Sequence, residues 1–434
     1  MTRFDIQKNV NPHFKPVWCS KVPYNILKGG RNSFKSSVIA LKLVKDMVKM
    51  ISKGEKANVV VIRKVANTIR DSVFNKINWA INVYGLTDSF KSTVSPFKIT
   101  HKATGSSFYF YGADDFNKLK SNDIGNIIAV WYEESAEFDS QEEFDQTNIT
   151  FMRQKHPLIP FVKFYWSYNP PRNPYNWINE WSELMKTNES YLVHESNYLN
   201  DELGFVTEQM LADINRIKEN DYDYYRYIYL GEPVGLGNNV YNMACFHPLD
   251  EIPSNDKIIG ISYALDTGHQ QSATACGAYG ITAKGNVILL DTFYYSPAGR
   301  SVKAAPSDLT IMINDFISSV QEIYNVPTIK LTIDSAEGAL RNQYYKDFGI
   351  RWVPVAKKKN QTMIDMVTSL LAQGRFFYLE NENNKIFIEE HKMYRYDEKT
   401  IKTPEPKVIK EDDHTVDEFK YFVLDNAKLL GLKV

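Results

Sequence analysis

The sequence predicts an α/β protein of two domains, and three observations carry that prediction. At 434 residues the chain exceeds what one ordinary hydrophobic core serves. The first half alternates short apolar runs with amphipathic stretches, the pattern of a mostly parallel sheet covered by helices on both faces. The second half opens with apolar runs separated by turn chemistry, the pattern of an antiparallel hairpin series within a mixed sheet. Between them GEPVGLGNNVYNM and HPLDEIPSND concentrate Gly, Asn and Pro, which puts a first domain at 1–235, a linker at 236–256 and a second domain at 257–434.

The elements follow in order. Val59–Ile62 (VVVI), Ile127–Trp131 (IIAVW) and Phe161–Trp166 (FVKFYW) read as buried strands, and Ser37–Met50 has apolar residues at helical spacing. In the second domain Ile258–Leu265, Thr274–Tyr279 and Val287–Leu290 are strands broken by DTGHQQS and TAKGN. Leu309–Tyr324 reads as an amphipathic helix and Ile329–Ile333 as a further strand.

Composition bounds the function. Hydrophobic content of 43% and charged content of 24% belong to a globular protein. The start, MTRFDIQKNVNPHFK, has no apolar signal core and no run reaches membrane-spanning length, so no membrane partner and a cytoplasmic location are expected. Cys19, Cys245 and Cys276 lack metal-type spacing, which argues for a reducing compartment and against zinc. A net charge of -1 gives no global field for nucleic acid, so such contacts must come from local patches. Lys357-Lys358-Lys359 is one, although a solvated loop explains it equally.

Leu27 to Ser36 suggests a phosphate loop, in which small residues let backbone N–H groups wrap phosphates, a lysine adds charge and a hydroxyl holds Mg²⁺. Gly29, Gly30, Arg31, Ser33, Lys35, Ser36 and Ser37 are the candidate binding residues, before a helix and after the strand-like YNIL. Phe34 stands where a glycine is usual, as does Asn32, and by pattern alone a plain loop–helix junction fits as well. IIAVWYEE then ends in Glu133, placed to support Mg²⁺ through water, and Glu134, placed to polarise an attacking water. FYWSYNPP sets Ser167 and Asn169 at the end of the next strand, where polar groups sense a γ-phosphate. Each motif has a bland reading, but three strand-end motifs in this order outweigh one. Arg31 either reaches the γ-phosphate or shapes the loop, and Arg63 and Lys64 either contact nucleotide or DNA or lie on the surface.

Cutting a phosphodiester with two metal ions requires carboxylates from separate elements converging on cations roughly 3.5–4 Å apart. Asp266 and Asp334 at strand ends and Asp417 on a C-terminal helix meet that need. His414 precedes Asp417 on the same helix face and either ligates metal or shuttles a proton. Asp291 and Glu337 are weaker candidates, since strand-end acids often cap turns, and Asp412 and Asp413 are expected to cap the helix of His414.

GGRNSFKS, IIAVWYEESAEF, FYWSYNPP, ALDTGHQQSATACGAYG, LTIDSAEG and DHTVDEFKYF span nearly the whole chain. In this order they resemble the large terminase subunit of tailed bacteriophages and prophages, in the branch with a DH-x-x-D nuclease ending. The resemblance implies an N-terminal P-loop ATPase of the ASCE type and a C-terminal RNase H-like nuclease. It implies that Lys35 and Ser36 are the Walker A ligands, Arg31 the loop arginine, Glu133 the Walker B acid and Glu134 the catalytic glutamate. Ser167 and Asn169 become the coupling motif, and Asp266, Asp334 and Asp417 a metal triad with His414 beside it. Expected cofactors are ATP and Mg²⁺ or Mn²⁺, with two ions at the nuclease site.

The implied function is ATP-driven translocation of double-stranded DNA into a procapsid, with metal-dependent cutting of concatemeric DNA. Implied partners are double-stranded DNA, the portal protein, the procapsid, a small terminase subunit and further copies of the chain in a ring, in the host cytoplasm and transiently on the portal. Three competing readings are a nucleotide-binding assembly protein, in which Phe34 marks a decayed loop, a DNA repair translocase-nuclease with no packaging role, and a nuclease whose N-terminal half only positions DNA. Glu133, Glu134 and the coupling motif speak against the first. Against the second, roughly 230 residues before the linker leave room for one motor domain only. Arg153 and the pair Lys118/Lys120 are candidates for a trans-acting cation.

Overall fold

The computed structural model describes residues 4–113, 123–235, 237–268, 272–299 and 303–432. The chain folds as two compact units, Met1–Asn215 with Asp223–Gly235, and Arg216–Tyr222 with Leu236–Val434. Lys118 and Lys120 lie outside the described residues.

In chain order the strands of the first unit are β1 (Tyr24–Gly29), β2 (Asn58–Arg63), β3 (Phe90–Val94), β4 (Phe97–His101), β5 (Ser107–Gly112), β6 (Ile127–Glu133), β7 (Lys163–Tyr168) and β8 (Tyr191–Ser196). They lie side by side as β3-β4-β5-β2-β6-β7-β1-β8. Pairing is parallel from β5 to β8 and antiparallel only where β3, β4 and β5 form the edge. The central strands are apolar at every position because both faces are covered. Leu27, Val59, Val61 and Trp131 face one core with Val38, Ile39 and Leu43 of the helix Lys35–Ile51. Ile26, Val60, Val130 and Trp166 face the other, with Trp181. The strand expected at Phe161–Trp166 runs Lys163–Tyr168, so Ser167 lies inside it.

The second unit holds β9 (His247–Leu249), β10 (Ile258–Asp266), β11 (Thr274–Thr282), β12 (Val287–Tyr295), β13 (Thr328–Ile333), β14 (Val353–Pro354) and β15 (Phe376–Leu379), ordered β14-β13-β10-β11-β12-β15-β9. β10, β11 and β12 form the antiparallel series, and β13 joins β10 in parallel. The helix His414–Asp425 lies on one face through Val416, Phe419 and Val423, with the helices Asn360–Ala372 and Lys385–Met393. Leu309, Ile313 and Val320 of the helix Pro306–Tyr324 and Leu340 and Tyr344 of the helix Gly338–Phe348 cover the other.

Residues 237–256 take part in this fold. Val240, Tyr241, Cys245 and Phe246 are buried in its core, and β9 forms an edge of the sheet. Asp413 occupies the cap position of its helix, but its side chain makes no capping bond, contrary to the sequence expectation. The helix bond at this end instead runs from the Asp417 N–H to the Asp413 carbonyl, at 2.8 Å. Among the described residues no helix is long and apolar enough to cross a membrane.

Candidate active sites

β1 ends at Gly29, and the loop onward to the helix Lys35–Ile51 is shaped by close backbone approaches. A Cβ on Gly29 would stand 1.8 Å from the Ser196 carbonyl oxygen, and one on Gly30 would stand 1.9 Å from that of Tyr229. Only glycine fits either place. The Arg31 N–H donates to the Ile228 carbonyl at 2.7 Å. Asn32 and Phe34 have φ of +59° and +66°, so both keep the left-handed turn without being glycine. That region costs a non-glycine residue about 1–2 kcal/mol. The Phe34 ring offsets part of the cost by packing on the core and meeting Phe205 edge-on, with ring centroids 5.7 Å apart.

Lys35 is buried, and its Nζ donates to the carbonyls of Gly29 (2.9 Å) and Gly30 (3.1 Å), to Ser33 Oγ (2.8 Å) and to Asn169 Oδ1 (2.9 Å). Burial lowers its pKa to about 8, against the pull of Glu134 and Glu133. Ser36 and Ser37 stand in the first helical turn, whose N–H groups point toward the loop. The Ser37 hydroxyl accepts from Lys76 at 3.4 Å.

β6 carries Glu133 at its end and Glu134 just beyond, the latter at φ +53°. Burial, then Glu134, pushes the Glu133 pKa up to about 7, while Arg63 opposes the rise. Arg63 is buried, its Nε 3.2 Å from Glu133 Oε2 and its guanidinium 3.6 Å from Glu137. The alignment is not that of a hydrogen bond, so the contact is ionic and Glu133 Oε2 keeps its accepting capacity. Lys64 is held by Asp139 at 2.9 Å and Glu143 at 2.6 Å. Both cations are thus paired with carboxylates, Arg63 buried and Lys64 partly exposed, rather than freely solvated. The two polar residues after β6 in the motif order part company. Ser167 accepts from the Trp131 indole at 2.9 Å inside the sheet, whereas Asn169 touches Lys35. Buried glycine-walled backbone, an ammonium on exchangeable bonds and a buried carboxylate oxygen without a hydrogen bond suit a nucleotide triphosphate with a divalent cation.

In the second unit Asp266 closes β10, Asp334 follows β13, and Asp417 lies in the first turn of the helix His414–Asp425. The Asp334 N–H donates to the Leu265 carbonyl at 3.2 Å, which sets the two strand-end acids side by side. Each carboxylate meets a cationic side chain. His414 Nδ1 is 2.9 Å from Asp266 Oδ2, Lys357 Nζ is 2.7 Å from Asp334 Oδ2 and Lys420 Nζ is 2.5 Å from Asp417 Oδ1. The Tyr421 hydroxyl also donates to Asp334 Oδ2, at 3.3 Å.

Burial raises the Asp266 pKa; His414 opposes, while Asp417 and Asp334 add to the rise. Burial acts on Asp334 too, but Lys357, the Ala336 N–H and Tyr421 outweigh it and hold its pKa below the usual range. The Tyr421 pKa is pushed far up by burial and then by Asp417, Asp266 and Asp334, so this ring faces all three acids. Among the described residues no three His, Cys, Asp or Glu side chains close on a single point as a finished metal cage. Instead, His414, Lys357 and Lys420 each hold one acid. The donor set still fits hard divalent ions: it is all oxygen, mutually repelling, and has beside it Asp413 Oδ2, buried without a hydrogen bond.

The weaker candidates are structural. Glu337 is buried, caps the helix Gly338–Phe348 through the Leu340 N–H at 3.1 Å and accepts from Thr267 at 2.8 Å. Asp291 accepts from Asn383 at 3.0 Å. Sequence reading missed Tyr421 and Lys420, which follow Asp417 at helical spacing and were detectable by it. It also missed Glu418, buried beneath the acids, which accepts from the Tyr279 hydroxyl at 2.7 Å. Arg153 ends the helix Gln141–Arg153 and is exposed.

Comparison with known proteins adds the following. A family model described as phage terminase large subunit matches residues 21–232, and one described as a terminase RNase H-like domain matches residues 266–425. The large terminase subunit of Bacillus phage SPP1 is 31% identical over 244 residues, which cover 55% of this chain and 56% of that protein. The PBSX phage terminase large subunit of Bacillus subtilis (strain 168) is 26% identical, covering 99% of this chain and 96% of that protein. In fold, the chain matches the solved large terminase of a thermophilic bacteriophage with a TM-score of 0.74 at 17% identity, over 98% of this chain and 97% of that one.

Proposed function

Because this chain belongs to the family of phage terminase large subunits, we propose that it packages DNA with one unit and cuts it with the other. In the motor unit, residues 1–235, ATP hydrolysis drives double-stranded DNA into a procapsid. In the nuclease unit, whose fold takes in residues 237–256 as well as 257–434, concatemeric DNA is cut endonucleolytically with a divalent metal that the acidic cluster would hold. One observation carries the reading: Gly29–Lys35, Glu133 and Asn169 gather at strand ends of one sheet, and Asp266 and Asp334 at strand ends of the other, with Asp417 beside them on the first turn of a helix.

In the motor, Lys35 exchanges its bonds to the loop for the nucleotide phosphates, with the N–H groups of the loop and first helical turn around them. Gly29, Gly30, Arg31, Ser33 and Ser37 line that cradle, and Ser36 and Glu133 would hold the Mg²⁺ that accompanies ATP. Glu134 polarises the attacking water. Asn169, released when Lys35 turns to phosphate, reports nucleotide occupancy to β7, and Ser167 anchors that strand on Trp131. In the nuclease, Asp266, Asp334 and Asp417 would hold Mg²⁺ or Mn²⁺, and His414 orients Asp266. Bound there, two such ions would supply charge neutralisation for the cleaved phosphate and a more acidic water. The partners are the portal protein, a small terminase subunit, the procapsid and identical copies in a ring, in the host cytoplasm and transiently on the portal.

The test is supercoiled plasmid with Mg²⁺ or Mn²⁺ beside ATP turnover, in the wild-type chain, Asp266→Asn and Glu134→Gln. The expected result is loss of cutting in the first variant and loss of turnover in the second, each with the other activity intact. A wild-type chain that cuts with neither metal removes the nuclease assignment. Turnover that survives Glu134→Gln removes the motor assignment.

A further inference from the structure

The nuclease unit has a cleft, lined in part by two arginines, that the acidic cluster does not use. It measures about 440 Å³ and is lined by Arg341, Asn342, Tyr345, Arg351, Trp352 and residues of β14. No acidic side chain lines it. Neither arginine forms an ion pair within the described residues. The one acid in the last turns of the helix Gly338–Phe348, Asp347, is engaged by Gln343 and Thr310, both at 2.8 Å. Arg351 lies over the Tyr345 ring, 4.5 Å from its centroid, and that ring is 45% exposed. Trp352, buried, lines the cleft and carries an indole N–H with no acceptor.

Its position ties it to the cut site. β14 is the edge strand beside β13, with Pro354 opposite Ile333, the residue before Asp334. Arg341 stands on the helix that begins just after Asp334. Two guanidiniums without an ion pair among the described residues and a half-exposed flat ring match a phosphate with a base attached. In an intact duplex the base faces are hidden in the stack, so the ring is available only to a strand with an unpaired base.

We propose that this cleft binds a single-stranded DNA end beside the nuclease site, with phosphate on Arg341 and Arg351 and a base against the Tyr345–Arg351 face. The proposal rests on the reading of this unit as a DNA nuclease. The experiment uses the full chain without divalent metal and a fluorescein-labelled oligothymidylate, read by anisotropy across a salt series. The variants are Arg341→Gln with Arg351→Gln, Tyr345→Ala, Tyr345→Phe, and Lys346→Ala as an exposed cation outside the cleft. ATP turnover and thermal unfolding check that each variant is folded.

The double glutamine variant is expected to flatten the slope of log affinity against log salt by roughly 1.4, two contacts at about 0.7 each for a single strand. Tyr345→Ala is expected to weaken strand binding about tenfold while Tyr345→Phe retains it. Unchanged slope and affinity in the double variant overturn the proposal, as does an equal loss in Lys346→Ala, which marks a diffuse charge effect. A wild-type chain that binds the strand through the arginines but never cuts DNA leaves the cleft standing and removes the nuclease reading. Cutting lost in Asp266→Asn beside unaltered strand binding in the double variant does the reverse.

Discussion

Phe34 sits at φ +66° where a phosphate loop ordinarily has glycine, and two opposed effects act on it. Replacement by glycine relieves about 1–2 kcal/mol of left-handed strain but loses a ring contact of about 0.5–1.5 kcal/mol and adds unfolded-state freedom. Phe34→Gly is therefore expected to change stability by less than about 1 kcal/mol, whereas Phe34→Ala keeps the strain, loses the ring and is the less stable of the two. Denaturant unfolding of both variants decides it: an alanine variant as stable as the glycine one means that the conformation stores no strain. Gly30 offers no such compromise, because any Cβ meets the Tyr229 carbonyl at 1.9 Å. Gly30→Ala is expected to displace the loop and lower ATP turnover on the order of a hundredfold. At the other site, Lys357 is the cation on Asp334, 2.7 Å away. Lys357→Ala removes a charge that competes with a divalent ion, so calorimetry should show tighter Mn²⁺ binding than in the wild-type chain. Unchanged or weaker binding would instead make Lys357 a helper of the metal site.

At the scale of elements, legibility followed burial. β2 and β6 were readable as plain apolar runs because both faces are covered, and the acids after β6, β10 and β13 were readable because they interrupt such runs. β3, β4 and β14 were not, since FKSTV and the short VP are mostly solvent-facing, FKITH is only half-buried, and all three carry little apolar signal. Ser167 and Asn169 look equivalent in sequence, being two residues apart and so on one face by strand alternation, yet Ser167 lies inside β7 and accepts from Trp131, while Asn169 lies past the strand end at Tyr168 and accepts from Lys35. The bond between Lys357 and Asp334 is tertiary and invisible in a run of lysines.

The helix Lys385–Met393 hides a further case. His391 is fully buried against Phe387 and Phe419, and burial, with Lys420 adding, lowers its pKa from 6.5 to about 3. Between those values the unfolded chain takes a proton that the folded chain refuses, so stability falls with falling pH by about 1.4 kcal/mol per unit for this group. His391→Leu should therefore show a shallower loss of stability from pH 6.5 toward 5 than the wild-type chain. Parallel pH profiles would place the acid sensitivity elsewhere.

The molecule as a whole contains two sheets, each covered on both faces by apolar cores of its own unit. Cores that close within separate units are the condition for separate cooperative unfolding. A ligand that binds only the folded form of one unit then stabilises that unit, by about 2.7 kcal/mol at a hundred times its dissociation constant. Scanning calorimetry of the full chain should accordingly resolve two transitions. A non-hydrolysable ATP analogue with Mg²⁺ should raise one of them, and that shift should vanish in Lys35→Ala. Excess Mn²⁺ alone should raise the other, and that shift should vanish in Asp334→Asn while the nucleotide effect persists. A single transition moved equally by either ligand would mean that the two cores melt as one body, and the division of labour between motor and nuclease would then have to be sought in chemistry alone.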